Sequence, residues 1–219
     1  MCVRKLFHIF LAAHLLTFTS ACQENPDQTV SDTFETKQAA ADSLSQENLS
    51  PSCKTFVDHV KWQSTQDVTY DPSYFTIPYP NGDVPANKGV CVDVPIRGLR
   101  TIGLDLQKLV HEDILRSQSA YRITRIDKNI DHRRCTNLIV YFKRKNQTVP
   151  VSNKEEDYHP GDLVFWDIAR GHVGVVSDVK VPGTQRYYMV HNICCGPKME
   201  DFLFAAPIVC HVPFDKIKQ

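Results

Sequence analysis

Pro160-Gly161-Asp162-Leu163-Val164-Phe165-Trp166, followed by Gly171-His172-Val173-Gly174-Val175-Val176, is the stretch that decides the fold. A Pro-Gly turn feeds a short β-branched and aromatic run, and a glycine then opens a second such run on a histidine; consecutive buried strands read this way. Tyr187 to Val190 and Ile208 to His211 continue the series, with Pro182-Gly183 as an intervening turn signal. Upstream the apolar spacing is helical instead. Helices first and then consecutive strands predict an α+β domain, with N-terminal helices packed on a small antiparallel sheet.

Phe56, Val57 and Val60 fall on one helical face and predict a first helix ending near Gln66. The segment from Tyr70-Asp71-Pro72 to Asn81-Gly82-Asp83 is dense in turn formers. A second helix is expected from about Cys91, with Pro95 in its first turn, Ile96, Leu99 and Ile102 as its apolar stripe and Gly103 as its C-terminal cap. Asp105 reads as the N-cap of a third, whose buried face is Leu106, Leu109, Val110 and Ile114. A polar connection through Asn129–Arg134 separates this half from the strands, and no internal repeat is present.

The chain of 219 residues balances 25 basic against 25 acidic side chains, which excludes nucleic-acid binding by bulk charge and leaves partners to be read from a site. Arg4 and Lys5, the apolar run Leu6–Phe18 and the small residues before Cys22 have the layout of an export signal over residues 1–21. Thr19-Ser20-Ala21-Cys22 resembles a bacterial lipobox, with Cys22 as the lipidated residue. Residues 22–51 are polar and almost free of aromatics, hence unable to bury a core, and read as a tether. With Gln23 after the cysteine, the leader resembles those of lipoproteins sorted to the outer membrane of Gram-negative bacteria. The expected folded domain is 52–219, exported to the periplasmic face and monomeric.

A nucleophilic thiol needs its anion, which a helix N-terminus favours through unpaired N–H groups. Cys91, at an expected helix start behind Gly89, meets that requirement, and its backbone N–H would then face a developing oxyanion. His172 opens a strand beside glycines, where its ring can reach a thiol as general base, and His191 on the following strand supplies the third polar group that orients a base. Asn192 is an alternative orienter. Asp93 falls on the first helical turn, where the dipole favours a carboxylate, and it would compete with the Cys91 thiolate if close.

The order Gly89-Val90-Cys91, Gly161-Asp162-Leu163-Val164-Phe165, His172-Val173-Gly174-Val175-Val176, Met189-Val190-His191 resembles the NlpC-type branch of the papain-like cysteine peptidases. The resemblance implies a papain-like fold and a cysteine peptidase or amidase that cuts cell-wall stem peptides, with Cys91, His172 and His191 as a Cys-His-His triad and no cofactor. More narrowly, Tyr70-Asp71-Pro72, Gly82-Asp83-Val84-Pro85, Asn129–Arg134 and Glu200-Asp201 resemble a bacterial family of unknown function within that superfamily. This chain departs from the branch in having Val90 rather than Asp before the cysteine and no Ser-Gly after it. Its histidines are also more widely spaced, which a longer hairpin turn through Val181–Thr184 absorbs.

Asp93, Asp131, His132, Arg133 and Arg134 are the substrate-binding candidates, since an arginine there can clamp a peptide carboxylate with two bonds; for Asp131 to Arg134 a solvated loop or a salt-bridged corner is the plainer reading. Two other functions fit the same residues: a non-catalytic module that binds cell-wall peptide or a partner protein, and a zinc hydrolase built on Asp131, His132, His172 and His191. Tyr70, Tyr74, Phe75 and Tyr79 read as wall packing. Cys53, Cys135, Cys194, Cys195 and Cys210 are odd in number, so disulfides among them would leave one thiol free.

Overall fold

The computed structural model describes residues 48–218. The leader, Cys22 and nearly all of the tether lie outside the described residues.

Helix α1 (Pro51–Gln63) begins on the last residue assigned to the tether: Ser50 caps it by accepting from the Cys53 N–H at 3.2 Å, and Pro51 takes a first-turn position that needs no donor. It stops short of Gln66 because the Ser64 and Thr65 hydroxyls turn back onto the Lys61 and Trp62 carbonyls. Two short parallel strands, β1 (Thr69–Tyr70) and β2 (Lys88–Gly89), set Tyr70 opposite Gly89.

Helix α2 (Asp93–Arg100) starts two residues later than expected, leaving Cys91 in the turn before it. Gly103, at φ +82°, closes its C-terminus: its N–H donates to the Arg100 carbonyl and that of Leu104 to the Leu99 carbonyl, the paired bonds of a Schellman motif. Asp105 caps α3 (Leu106–Ser117) as expected, accepting from the Gln107 N–H at 3.0 Å, although Leu109 is only half-buried. A fourth helix, α4 (Cys135–Arg144), buries Leu138, Tyr141 and Phe142 and had no counterpart in the sequence reading.

The remaining strands are β3 (Leu163–Trp166), β4 (His172–Lys180), β5 (Tyr187–His191), β6 (Lys198–Glu200) and β7 (Ile208–Val212). They form one antiparallel sheet in the order β6-β5-β4-β3-β7. Alternation sends Leu163, Phe165, Val173, Val175 and Val190 into a core shared with the helices. Val164, Trp166, Val176 and Met189 enter a second cluster with Tyr158 and Leu203. The fold class is therefore α+β: among the described residues, four α-helices and a five-stranded antiparallel sheet. At the foot of β3, buried Asp162 accepts from the N–H groups of His159 and Phe214 and lies 2.7 Å from His211 Nε2. No helix among the described residues is long and apolar enough to cross a membrane.

Candidate active site

The turn carrying Cys91 is set by its neighbours. Asp93 Oδ2 accepts the Val90 N–H at 2.7 Å, and the Asp93 N–H returns to the Val90 carbonyl at 3.1 Å, so the chain folds tightly around the cysteine before α2 begins. Gly89, one turn earlier, has its carbonyl 3.4 Å from the Asn192 amide nitrogen, which ties this turn to the end of β5.

The sheet brings the histidines to the same place. Trp166 pairs with His172 across β3 and β4, and Gly174 pairs with His191 across β4 and β5. His172 and His191 thus share a face two residues apart in register, and their rings meet edge to face, with His172 Nε2 2.9 Å from His191 Nδ1. The Trp166 ring stacks on His172 at 5.6 Å between centroids, and Phe202 lies against both imidazoles. Trp166 is itself fixed by its Nε1–H, which donates to the Leu203 carbonyl at 2.9 Å. His191 Nε2 lies 3.3 Å from Glu200 Oε2 on β6.

The His172 ring and the Val173 N–H both act on the Cys91 sulfur to favour its anion. Since His172 Nε2 is occupied by His191, Nδ1 is the ring nitrogen left for Cys91. A neutral His172 then carries its proton on Nε2, His191 accepts it at Nδ1, and His191 holds its own proton on Nε2, toward Glu200. Burial, with His172 adding to it, lowers the His191 pKa to about 4, which keeps that ring neutral.

A second cysteine stands beside the first: the Cys135 sulfur, at the first position of α4, is 3.7 Å from that of Cys91. The Cys135 thiol, donating to the Cys91 anion, is the strongest influence lowering the Cys91 pKa to about 5; His172 and the Val173 N–H add to it, against the opposing effect of burial. The same contact, together with burial, drives the Cys135 pKa upward. Both sulfurs open onto a cleft of about 660 Å³ lined by Tyr70, Arg134, Thr136, Ile139, Asp167 and Arg170 among others.

The other candidates divide. Arg133 does not reach out to a ligand: its Nε and Nη2 donate to the two oxygens of Asp93 at 2.9 and 2.8 Å, and both side chains are buried. The ion pair thus occupies both carboxylate oxygens of Asp93 and turns Arg133 inward. His132 is buried beside Arg100 and Arg133, and burial first, then those cations, lowers its pKa to about 3. Asp131 is buried, accepting the Asp127 N–H at 2.6 Å and holding its backbone carbonyl to the Asn137 amide. Neither residue lines the cleft. Arg134, exposed at its rim, is the one member of the set placed to meet a ligand.

The four residues of the zinc reading do not converge, and no group of three potential ligands forms a metal site among the described residues. No cysteine among the described residues is in a disulfide; Cys53 donates to the Pro160 carbonyl, and Cys194 and Cys195 form an exposed vicinal pair. Tyr70 lines the cleft, whereas Tyr74 hydrogen-bonds Asp127 and Tyr79 packs on His111. Cys135, Trp166, Phe202 and Glu200 received no role from sequence. The one available signal was Cys135 directly after Arg134, at the start of a helix whose period went unread.

No solved structure matches this chain. An uncharacterized protein of Escherichia coli (strain K12), YijF, is 44% identical over 161 residues, covering 70% of this chain and 78% of that protein. The family model for a domain of unknown function, DUF1287, matches residues 57–214, most of the chain and all of the site just described. By that match the chain belongs to the DUF1287 family.

Proposed function

We propose that this domain is a papain-like cysteine hydrolase of the NlpC type, an endopeptidase or amidase acting on peptidoglycan stem peptides. One observation carries the reading: a cysteine on the wall of an open cleft whose anion is favoured by a histidine, the far nitrogen of that histidine lying 2.9 Å from a second histidine. The same triplet supports the resemblance noted from the sequence.

In this reading the Cys91 thiolate attacks an amide carbonyl, and the Cys91 backbone N–H receives the oxyanion. His172, carrying the thiol proton on Nδ1, delivers it to the leaving amine as the tetrahedral intermediate collapses to a thioester. A water then enters, loses a proton to His172 and releases the acid, which restores the pair. His191 fixes the His172 tautomer and ring plane throughout. Arg134 at the rim takes a carboxylate of the peptide. The leader and Cys22 would deliver the domain to the periplasm on an outer-membrane lipid anchor.

The test is digestion of purified muropeptides followed by mass spectrometry, with wild type against Cys91→Ala. Wild type should release defined fragments and the variant none, while circular dichroism shows both folded. Muropeptide bound by both proteins without turnover would replace this reading with the binding module.

A further inference from the structure

Cys91 and Cys135 are held face to face by something other than their own contact. Asp93 lies two residues after the first and Arg133 two residues before the second, and the buried two-bond ion pair between them clasps the two segments together. The result is two thiols 3.7 Å apart, both bordering a cleft wide enough for a peptide-sized disulfide. Closure must bring these sulfurs from 3.7 Å to the about 2.05 Å of a disulfide bond. Gly171 packs directly on Cys135: a Cβ there would sit 2.9 Å from the Cys135 Cβ, so only glycine leaves the Cys135 side chain in place.

We propose that Cys135 is a resolving thiol: Cys91 and Cys135 interconvert between dithiol and disulfide by exchange with an external disulfide, and the closed form withdraws the nucleophile. The Cys91 thiolate attacks one sulfur of the oxidant, forming a mixed disulfide and expelling one thiolate. That step removes the negative charge that held the proton on Cys135. Cys135 then deprotonates and attacks the Cys91 sulfur, forming the Cys91–Cys135 bond and expelling the second thiolate. Two cysteines are oxidised and one external disulfide becomes two thiols, which take the proton of the Cys91–His172 pair and that of Cys135. An excess of small thiol runs the sequence backwards. That closure silences a hydrolase rests on the function proposed above; the exchange itself does not.

The experiment treats the full chain with oxidised glutathione, quenches with acid and maps the cysteines by mass spectrometry without any substrate. The expected product has Cys91 joined to Cys135, two hydrogens lighter, with Cys91 closed to iodoacetamide and reopened by dithiothreitol. In folded Cys135→Ser the glutathionyl group should stay on Cys91. A lasting glutathionyl adduct on wild-type Cys91, or Cys91 joined to Cys194 or Cys195, would overturn the proposal. Because the readout is a mass, a protein with no activity on muropeptides still gives a decisive answer; an active hydrolase that never forms the bond defeats this inference alone.

Discussion

Asp93 and Arg133, 40 residues apart in sequence, meet in a two-bond ion pair with side chains only 4% and 3% exposed, and this pair joins the turn of Cys91 to the start of α4. Removing one partner strands a buried charge. Asp93→Asn should therefore cost about 3–5 kcal/mol in urea unfolding. It should also slow alkylation of Cys91, because the Val90 N–H loses the anion that holds the turn. An unchanged unfolding midpoint would show the pair to be dispensable.

Cys91 should react as an anion well below the range of ordinary thiols. Its pKa is lowered, so the thiolate is already present above about 5 and is lost only as pH falls through that value. The rate of iodoacetamide labelling should stay nearly level from pH 6 to pH 8, whereas a free cysteine rises toward about 8.5. Cys135→Ala and His172→Ala should each move the midpoint upward, Cys135→Ala by more. A labelling curve that climbs like glutathione's would contradict the contact with both residues.

In the proposed mechanism His191 acts only through His172. His191→Gln should reduce kcat on muropeptides by about 10²-fold with little change in KM, since ring orientation rather than binding is lost. Glu200→Gln should give a smaller loss in the same direction, as its carboxylate is partly solvated at the end of the chain. Steady-state kinetics separate the two constants, and a pure KM effect would assign His191 to binding.

Gly174 is needed for space. A Cβ there would lie 3.0 Å from the His191 Cβ and 3.1 Å from both the Trp166 Cη2 and the Val190 carbonyl oxygen. Gly174→Ala should cost about 1–3 kcal/mol by overpacking, read from the denaturant midpoint. It should also disturb His191, lowering turnover beyond what the stability loss explains. A variant with wild-type stability and activity would mean that the hairpin can spread without effect.

The strands and their histidines were legible because β-branched runs of period two, broken by glycine and proline, leave few alternatives: β3 was found to the residue, and β4 and β5 from their opening histidine and tyrosine. α4 was not. Its buried Leu138, Tyr141 and Phe142 stand at helical spacing, but Ile139 and Val140 between them are apolar too, and no side chain caps its start. Losing that helix hid Cys135, because the two cysteines become neighbours only when α4 packs. The Asn129–Arg134 run misled in the opposite way: charges that look available in sequence are buried, as with Asp131, His132 and Arg133, and only Arg134 faces out. Burial of a charged group depends on a partner that sequence spacing does not display.

The sheet is finished by its last strand. β7, Ile208–Val212, covers the outer edge of β3 and also bridges Val149 through His211, so a chain emerging from its N-terminus keeps β3 as an open edge until those five residues arrive. Trp166, the ring on which His172 stacks, belongs to that edge. A polypeptide emerging N-terminus first would thus complete the sheet beside His172 only once residues 208–212 were free to pair, and a shortened tail would endanger that distant histidine before it touched any loop.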